Sequence, residues 1–490
     1  MTISFNEIPS DSLVPFFYIE FDNSIADEGS VLVPWHVLLI GQKIAAGTAV
    51  ANTIVEISAD GQADVLGGDG SVAARQAEAY RSKPGRMRMS LLFLDDDGTA
   101  VARTVTVTYT GAGDASDSES LYIGARKATV GTENLDTPED LAGAMVLKVN
   151  AIKNVPCVAS NVAGVMTLTF KNKGALANGV EVSNDYNGET DASGFTTVIA
   201  DGVAGSVDPD LTTEGVVGII GDQWFQAIGQ PYQDATNIAY IDTELENRWG
   251  PTRQIGGIQY VAKNDTFANV QSWGAALNSP FTCPLNAENL PTPTEEYAAE
   301  ICAEVANAAN IDPARPFQTL ALAHTLSPVK ADRNTGEENG LLLKAGVSTF
   351  TVDAGGGVRI QRFVTSYKTS ATGATDKSYR NVNTVYTLQA IRYDFRTYMQ
   401  NKYPRHKLAS DGNNYGAGQA IITPKVGKAE AIARFKVWER DNGWVEGLQA
   451  FKESLVCERN TGDVDRLDWL MKPNLINQFR IAGVQIQFIL

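Results

Sequence analysis

INQFRIAGVQIQFIL, residues 476–490, carries the pattern that decides how the chain is built. Val484, Ile486, Phe488 and Leu490 alternate there with Gln485, Gln487 and Ile489. Alternation with a period of two is the signature of a β-strand with one apolar face. Pro473-Asn474 separates the stretch from what precedes it. A terminal segment frays unless something holds it, and an apolar strand with a bare edge invites aggregation. We therefore expect these residues to pair with a sheet.

Working outward, the rest reads as a mixed α/β multidomain protein. Phe16 to Phe21 (FFYIEF), Val37 to Ile40 and Met89 to Leu94 are strand candidates, the second closed by Gly41. Ser71 to Tyr80 reads as a helix between them. From about Val101 to Val203 short β-branched runs recur: VTVTYT (105–110), LYIGARKATV (121–130), VMTLTF (165–170) and VEVSNDY (180–186). Turn residues separate them, as in a small β-rich domain. One helix interrupts this series. Thr137 is its cap, Pro138 its first residue, and Leu141, Met145, Val149 and Ile152 its buried stripe.

Beyond residue 205 helices alternate with strands, the helix candidates being 213–228, 266–277, 294–309, 383–401, 424–440 and 446–456. Thr349 to Val352 and Val358 to Ile360 predict a hairpin across the Asp353–Gly357 turn. The resulting division is an arm at 1–25, a core of 26–95 plus 205–475, an inserted β-rich outer domain at 96–204, and a donor-strand arm at 476–490. Within the core, 205–375 is an α/β subdomain and 380–475 a more helical C-terminal one.

At 490 residues the chain exceeds what one hydrophobic core organises, about 250–300 residues. Its net charge is −17, of which about −11 falls between Asp95 and Glu214. That excludes a basic footprint for nucleic acid and disfavours anionic membrane surfaces. Four scattered cysteines, with no C-x-x-C pair, fit neither a disulfide framework nor a zinc site. A reducing cytoplasm is the expected folding compartment. No secretory leader pattern opens the sequence, and no apolar run reaches the ~20 residues a membrane span needs.

Catalytic and metal chemistry find little purchase. There are three histidines. His36 lies in an apolar strand-like run, as a satisfied core histidine does. His406 sits in the basic segment Lys402 to Lys407, where salt bridges are expected. His324 follows the strand Leu320 to Ala323 and is the best catalytic candidate by position, yet no G-x-S-x-G elbow accompanies it. Asp95-Asp96-Asp97-Gly98 is read as a turn, since a calcium loop needs its glycine elsewhere and a closing glutamate. Gly215, Gly218 and Gly221 fall inside the expected 213–228 helix and suggest close helix packing. Ile391, Phe395 and Met399 form a core stripe on the 383–401 helix, with Arg392 and Arg396 on another face. We expect no cofactor, no metal and no catalytic residue.

Several segments together resemble the Mu-like branch of contractile phage tail sheath proteins. They are ISFNEIPSDSLVPFFYIEFDNSIA (3–26), RQIGGIQYVA (253–262), IDPARPFQTLAL (311–322), VNTVYTLQAIRYDFRTYMQNKYPRHKLASDG (382–412), GAGQAIITPK (416–425), FKESLVCERN (451–460) and the closing stretch. The resemblance implies a subtilisin-like topology for the α/β core, in shape and not in catalysis. It also implies six-membered rings stacked as a helical cylinder around a tail tube, with baseplate and tail terminator proteins as further partners. Such a protein is part of the virion tail, assembled in the host cytoplasm. Terminal arms that add strands to neighbours would here use Phe16 and Tyr18 at one end and Val484, Ile486, Phe488 and Leu490 at the other. Arg392, Arg396, Arg405 and Lys407 are the expected polar contacts that re-form on contraction. The rival readings are an adhesin-like tail component, which would form compact trimers, and a hydrolase.

Overall fold

A computed structural model describes residues 33–489, apart from Pro84, Arg86, Ala115, residues 187–192, Asn413, Asn414 and Ala417. Two compact units emerge, one of residues 34–390 with 478–489 and one containing 391–477.

The larger unit is organised by a six-stranded sheet. Its order runs Thr282–Asn286, Ile258–Lys263, Ala227–Gly229, His36–Gln42, Arg88–Leu94, Thr53–Glu56. All neighbours are parallel except the last pair, with Val37 opposite both Ala227 and Met89. Parallel strands are covered on both faces and so read as unbroken apolar runs; Val37 to Ile40 and Leu91 to Leu94 are fully buried. The helices Val72–Arg81 and Thr294–Ile311 pack on each other and on this sheet. Ser71 caps the first by accepting from the Ala74 amide. Gly41 does not end its strand but continues it to Gln42. A Cβ there would lie 2.4 Å from Gln76 Oε1 and 2.9 Å from Ala73 Cα, so the glycine lets the helix cross the strand at backbone contact.

Residues 104–201 form a β-rich body. Four antiparallel strands run in the order Phe195–Asp201, Thr104–Gly111, Val165–Phe170, Cys157–Val162. A second sheet places Asp117–Ile123 between Arg126–Thr132 and Val182–Ser183. The helix Pro138–Ala151 touches both sheets, with Leu141, Met145 and Val149 buried against Val107, Leu121 and Met166. Its capping box is the one the sequence spells: Thr137 accepts from the Asp140 amide while the Asp140 carboxylate accepts from the Thr137 amide at 3.1 Å.

The structure corrects several element assignments. The 213–228 helix is only Val216–Ile220, followed by the strand Ala227–Gly229. Gly215 and Gly221 flank it at φ +66° and +52°, a backbone that L side chains resist, and a Cβ on Gly218 would meet nothing within 4 Å. These glycines therefore terminate a helix and do not pack one against another. Ala235–Trp249 and Gly336–Lys344 are helices that composition concealed. In the first, Asp234 caps the start and Ile238, Ile241 and Leu245 make the buried stripe. VEVSNDY shortens to Val182–Ser183, and the edge strands Cys157–Val162 and Phe195–Asp201, which expose Val158, Val162 and Val198, are further strands beyond those expected. The hairpin Thr349–Val352 with Val358–Arg362 forms as expected. Asp353 organises its turn, accepting from the Gly355 and Gly357 amides and from Arg359.

In the smaller unit, the last part of helix Val382–Lys402 packs with helix Pro424–Arg440. Phe395 lies between Trp438 and Trp469, ring centroids 6.2 and 6.1 Å away. A hairpin of Val456–Arg459 and Leu467–Leu470 packs on the second helix. Gly427 makes that fit possible: a Cβ would come within 2.9 Å of Cys457 Sγ and 3.0 Å of the Trp469 ring.

Candidate functional site

The C-terminal stretch leaves the smaller unit through a short pairing of Asn474–Leu475 with Val445–Glu446, reinforced by the Ile476 amide donating to Trp444 O at 3.0 Å. After Leu475 no residue up to 489 joins a β-ladder with any described residue. Phe479, Ile481, Val484, Ile486, Phe488 and Ile489 are between 77% and 99% exposed. An isolated exposed leucine or isoleucine is ordinary, but a contiguous run of this kind marks a surface that meets something. A side-chain anchor near its root is Arg480, which donates to Asn383 Oδ1 at 3.0 Å and Gln478 Oε1 at 2.7 Å. Phe16, Tyr18 and Leu490 lie outside the described residues.

The predicted basic contacts divide into two kinds. Arg392 and Arg396 are half-buried on helix Val382–Lys402, with the Arg396 guanidinium 5.7 Å from the Tyr393 ring. Arg405 and Lys407 are exposed, and Lys407 Nζ donates to Gln419 at 3.1 Å. His406 between them packs edge-on to Tyr403 at 4.7 Å and makes no ion pair among the described residues; the salt bridge expected of its segment is made by Lys402, 3.1 Å from Glu430. The charge that matters most on this helix escaped sequence reasoning. Asp394, fully buried, pairs with Arg434 through both carboxylate oxygens and accepts from Trp438 Nε1 at 2.6 Å. The signal was its position one turn from Ile391 and adjacent to Phe395, inside the apolar stripe.

The larger unit hides a second polar assembly. Glu295, Glu296, Glu300 and Glu304 project from helix Thr294–Ile311, all buried. Arg75 pairs with Glu295 and, at 2.9 Å, with Glu296. Arg126, from the β-rich body, reaches Glu296 at 2.8 Å and Glu78 at 2.9 Å. His324 Nε2 lies 2.7 Å from Glu296 Oε2, and Glu300 accepts from the amides of His324 and Thr325. Lys83 meets Glu304 at 2.6 Å. Burial alone would raise the Glu296 carboxyl. The Arg126 charge, the His324 hydrogen bond and Arg75 outweigh it and hold the group below the usual carboxylate range. Burial opposes the proton on His324, but Glu296 keeps that imidazole above its ordinary value.

His324 is thus bound into an ion-pair network with Glu296 and Glu300. His36 donates to or accepts from Ser90 Oγ at 2.9 Å on the neighbouring strand, its pKa lowered to about 4, first by burial and then by Arg88. Asp96 of the 95–98 segment accepts from Gln42, Asn172 and the Lys173 amide, tying the sheet end to the β-rich body. Among the tyrosines of that body, Tyr109 and Tyr122 are buried, and Tyr186 donates to Ser327 O at 2.7 Å. No helix among the described residues is long and apolar enough to cross a membrane.

The family model for the phage tail sheath protein central domain matches residues 206–366, and that for the phage tail sheath C-terminal domain matches residues 374–489. The Mu-like prophage FluMu tail sheath protein of Haemophilus influenzae is 37% identical over 491 residues, covering 100% of both chains. The chain belongs to the phage tail sheath family. Its kinship is with the Mu-like branch, and residues 101–205 lie outside both matched stretches. Among solved structures, a sheath tail protein of Desulfitobacterium hafniense aligns over 94% of this chain and 100% of its own at 13% identity, TM-score 0.48. The sheath of an extracellular contractile injection system in its contracted state aligns over 98% of both chains at 9% identity, TM-score 0.49.

Proposed function

We propose that this sheath subunit polymerises into six-membered rings stacked as a helical cylinder around a tail tube, and that the cylinder shortens to drive the tube through a host envelope. Residues 476–490 graft each subunit to a neighbour by adding a strand to the neighbour's sheet. The observation that carries this is the run of alternating apolar side chains at 484–488, exposed and without a ladder partner among the described residues. The Val456–Arg459/Leu467–Leu470 hairpin is a suitable acceptor. It is a sheet of two strands with both outer edges open among the described residues, and Val456 and Leu470 are exposed. Two-stranded hairpins are marginal alone and gain from a third strand.

About five ladder bonds at ~0.5–1.5 kcal/mol each, with apolar burial at ~25 cal/mol/Å², make each graft strong before the ordering entropy of the arm is subtracted. Phe16 and Tyr18 of the 1–25 arm join the same mesh. Stems near Pro473 and in Ser10 to Pro15, the latter outside the described residues, let rigid cores rotate while grafts persist. Contraction then requires two packings separated by a barrier, with the contracted one lower in free energy. Arg392, Arg396, Arg405 and Lys407 exchange polar partners between the two. The work is mechanical and not catalytic, in a core of subtilisin-like topology. The tail tube, baseplate and terminator proteins are its other contacts. The 96–204 domain faces outward as decoration, and the virion tail, put together in the host cytoplasm, is its place of action.

Negative-stain microscopy of the purified chain tests this directly. Tubes are expected from the full chain, and folded, unassembled subunits after deletion of 476–490. Compact trimers from the full chain, or tubes that survive the deletion, would remove the graft.

A further inference from the structure

Three arginines meet at the root of the C-terminal arm with no described carboxylate among them. Arg362 ends the strand Val358–Arg362, Arg380 immediately precedes helix Val382–Lys402, and Arg480 lies on the arm itself. The loop geometry that gathers them is explicit: Val364 bridges Asn381, and the Thr365 amide donates to Arg380 O at 2.9 Å. Their hydrogen-bond acceptors are neutral. Arg362 Nη2 donates to Asn381 Oδ1 at 2.9 Å, and Arg480 to Asn383 and Gln478. No described carboxylate pairs with any of the three.

Buried guanidinium atoms are left over: Arg480 Nη1 and Arg362 Nε have no hydrogen-bond partner among the described residues. The electrostatic consequence is consistent. Burial, and then repulsion from Arg362 and Arg380, lowers Arg480 to about 10, and burial with Arg380 lowers Arg362. Like charges gathered in a half-buried place and left with unused donors form a receptor for carboxylates, because an arginine fork is strongest when bidentate to an anion.

The same chain contains the complementary segment. Between Met1 and Gln42 there are six carboxylates and no lysine or arginine. Four of them, Glu20, Asp22, Asp27 and Glu28, fall within nine residues.

We propose that the Arg362–Arg380–Arg480 cluster is the docking socket for the acidic segment Glu20–Glu28 of a second copy of the chain. This rests on the polymerising role proposed above and gives it a charged lock beside the apolar graft. The apolar strand supplies binding energy, whereas the charge pair fixes which surface is chosen and in what register. A socket on the stem of the arm also occupies the place from which the graft departs, so both contacts form together.

The test uses the full chain and a fluorescent peptide spanning residues 17–32. The peptide is expected to bind, and R362A/R380A is expected to weaken it by at least about tenfold, while R362K/R380K keeps part of the affinity. A peptide with its four carboxylates turned to carboxamides should fail to bind. Melting of R362A/R380A should be unchanged or higher than wild type, since the substitution relieves repulsion. In the assembled protein, R362E/R380E should abolish tubes, and adding lysines at positions 20, 22, 27 and 28 should restore them. Equal binding by the carboxamide peptide, or binding indifferent to R362A/R380A, would overturn the socket. Peptide binding needs no polymer, so it reads the socket even if the full chain were to form no tubes.

Discussion

Replacing Ile486 and Phe488 together with glutamine is the sharpest perturbation of the arm. The two side chains are 83% and 80% exposed in the free subunit, so they have nearly all their transfer free energy still to gain. Burying a side chain of this size contributes ~1.5–3 kcal/mol, which puts the double substitution at roughly 3–6 kcal/mol per graft. With tenfold for every ~1.4 kcal/mol, the critical concentration for tube formation should rise about 10² to 10⁴-fold. The subunit itself should not notice, because these side chains support nothing within it; its melting should move by less than ~0.5 kcal/mol. Pelleting across a concentration series reads the first quantity and thermal melting the second. Q485S/Q487S, on the opposite face, is the parity control and should shift assembly by less than about tenfold. Unchanged assembly by I486Q/F488Q, or a clearly destabilised subunit, would refute the strand-addition account.

Three further expectations concern the scaffold. Asp394→Asn leaves the buried Arg434 guanidinium without its counter-ion, a loss of ~3–5 kcal/mol, and the melting of the 391–477 unit followed by tryptophan fluorescence should fall by on the order of 10 °C or more; a change under ~1 kcal/mol would remove Asp394 as its keystone. The Glu296–His324 pair sets a pH window. His324, raised above its ordinary 6.5, stabilises fully below that value and loses its contribution as pH rises through the folded pKa. Glu296, depressed below its ordinary 4.5, stabilises above that value and fails only as acid reaches its folded pKa. Stability should therefore decline above about pH 6.5 in wild type and flatten there in His324→Gln; an identical alkaline slope in both would exclude the imidazole. Gly427→Val drives side-chain atoms into Cys457 and Trp469, costing ~1–3 kcal/mol by overpacking, and should red-shift tryptophan emission as the hairpin lifts; unaltered emission would mean the hairpin does not pack as described.

Local signals were legible wherever a residue's neighbours in sequence also decide its structure. Thr137-Pro138 and Asp140 announced a capped helix because the cap bonds within four residues. The Asp353 to Gly357 turn announced its hairpin for the same reason. The all-apolar runs Val37 to Ile40 and Leu91 to Leu94 announced strands covered on both faces. Misreadings arose where backbone conformation or a distant partner, and not residue type, decides. Gly215 to Gly221 resembled helix interior, yet backbone at positive φ made two of those glycines terminators. Cys157–Val162 and Phe195–Asp201 take their places as edge strands from pairing with Val165–Phe170 and Thr104–Gly111, partners set by the fold.

By its sequence alone this chain determined its family, its mixed α/β character and the strand periodicity of its last residues, since alternation and caps are local properties of covalently adjacent residues. Only the tertiary structure decided which charges count. Asp394 finds Arg434 forty residues away, Glu296 gathers Arg75, Arg126 and His324 from three separate segments, and Arg362, Arg380 and Arg480 meet with no described acid between them. Coulomb energy depends on separation in space and on burial, and neither is written in the spacing of residues along the chain.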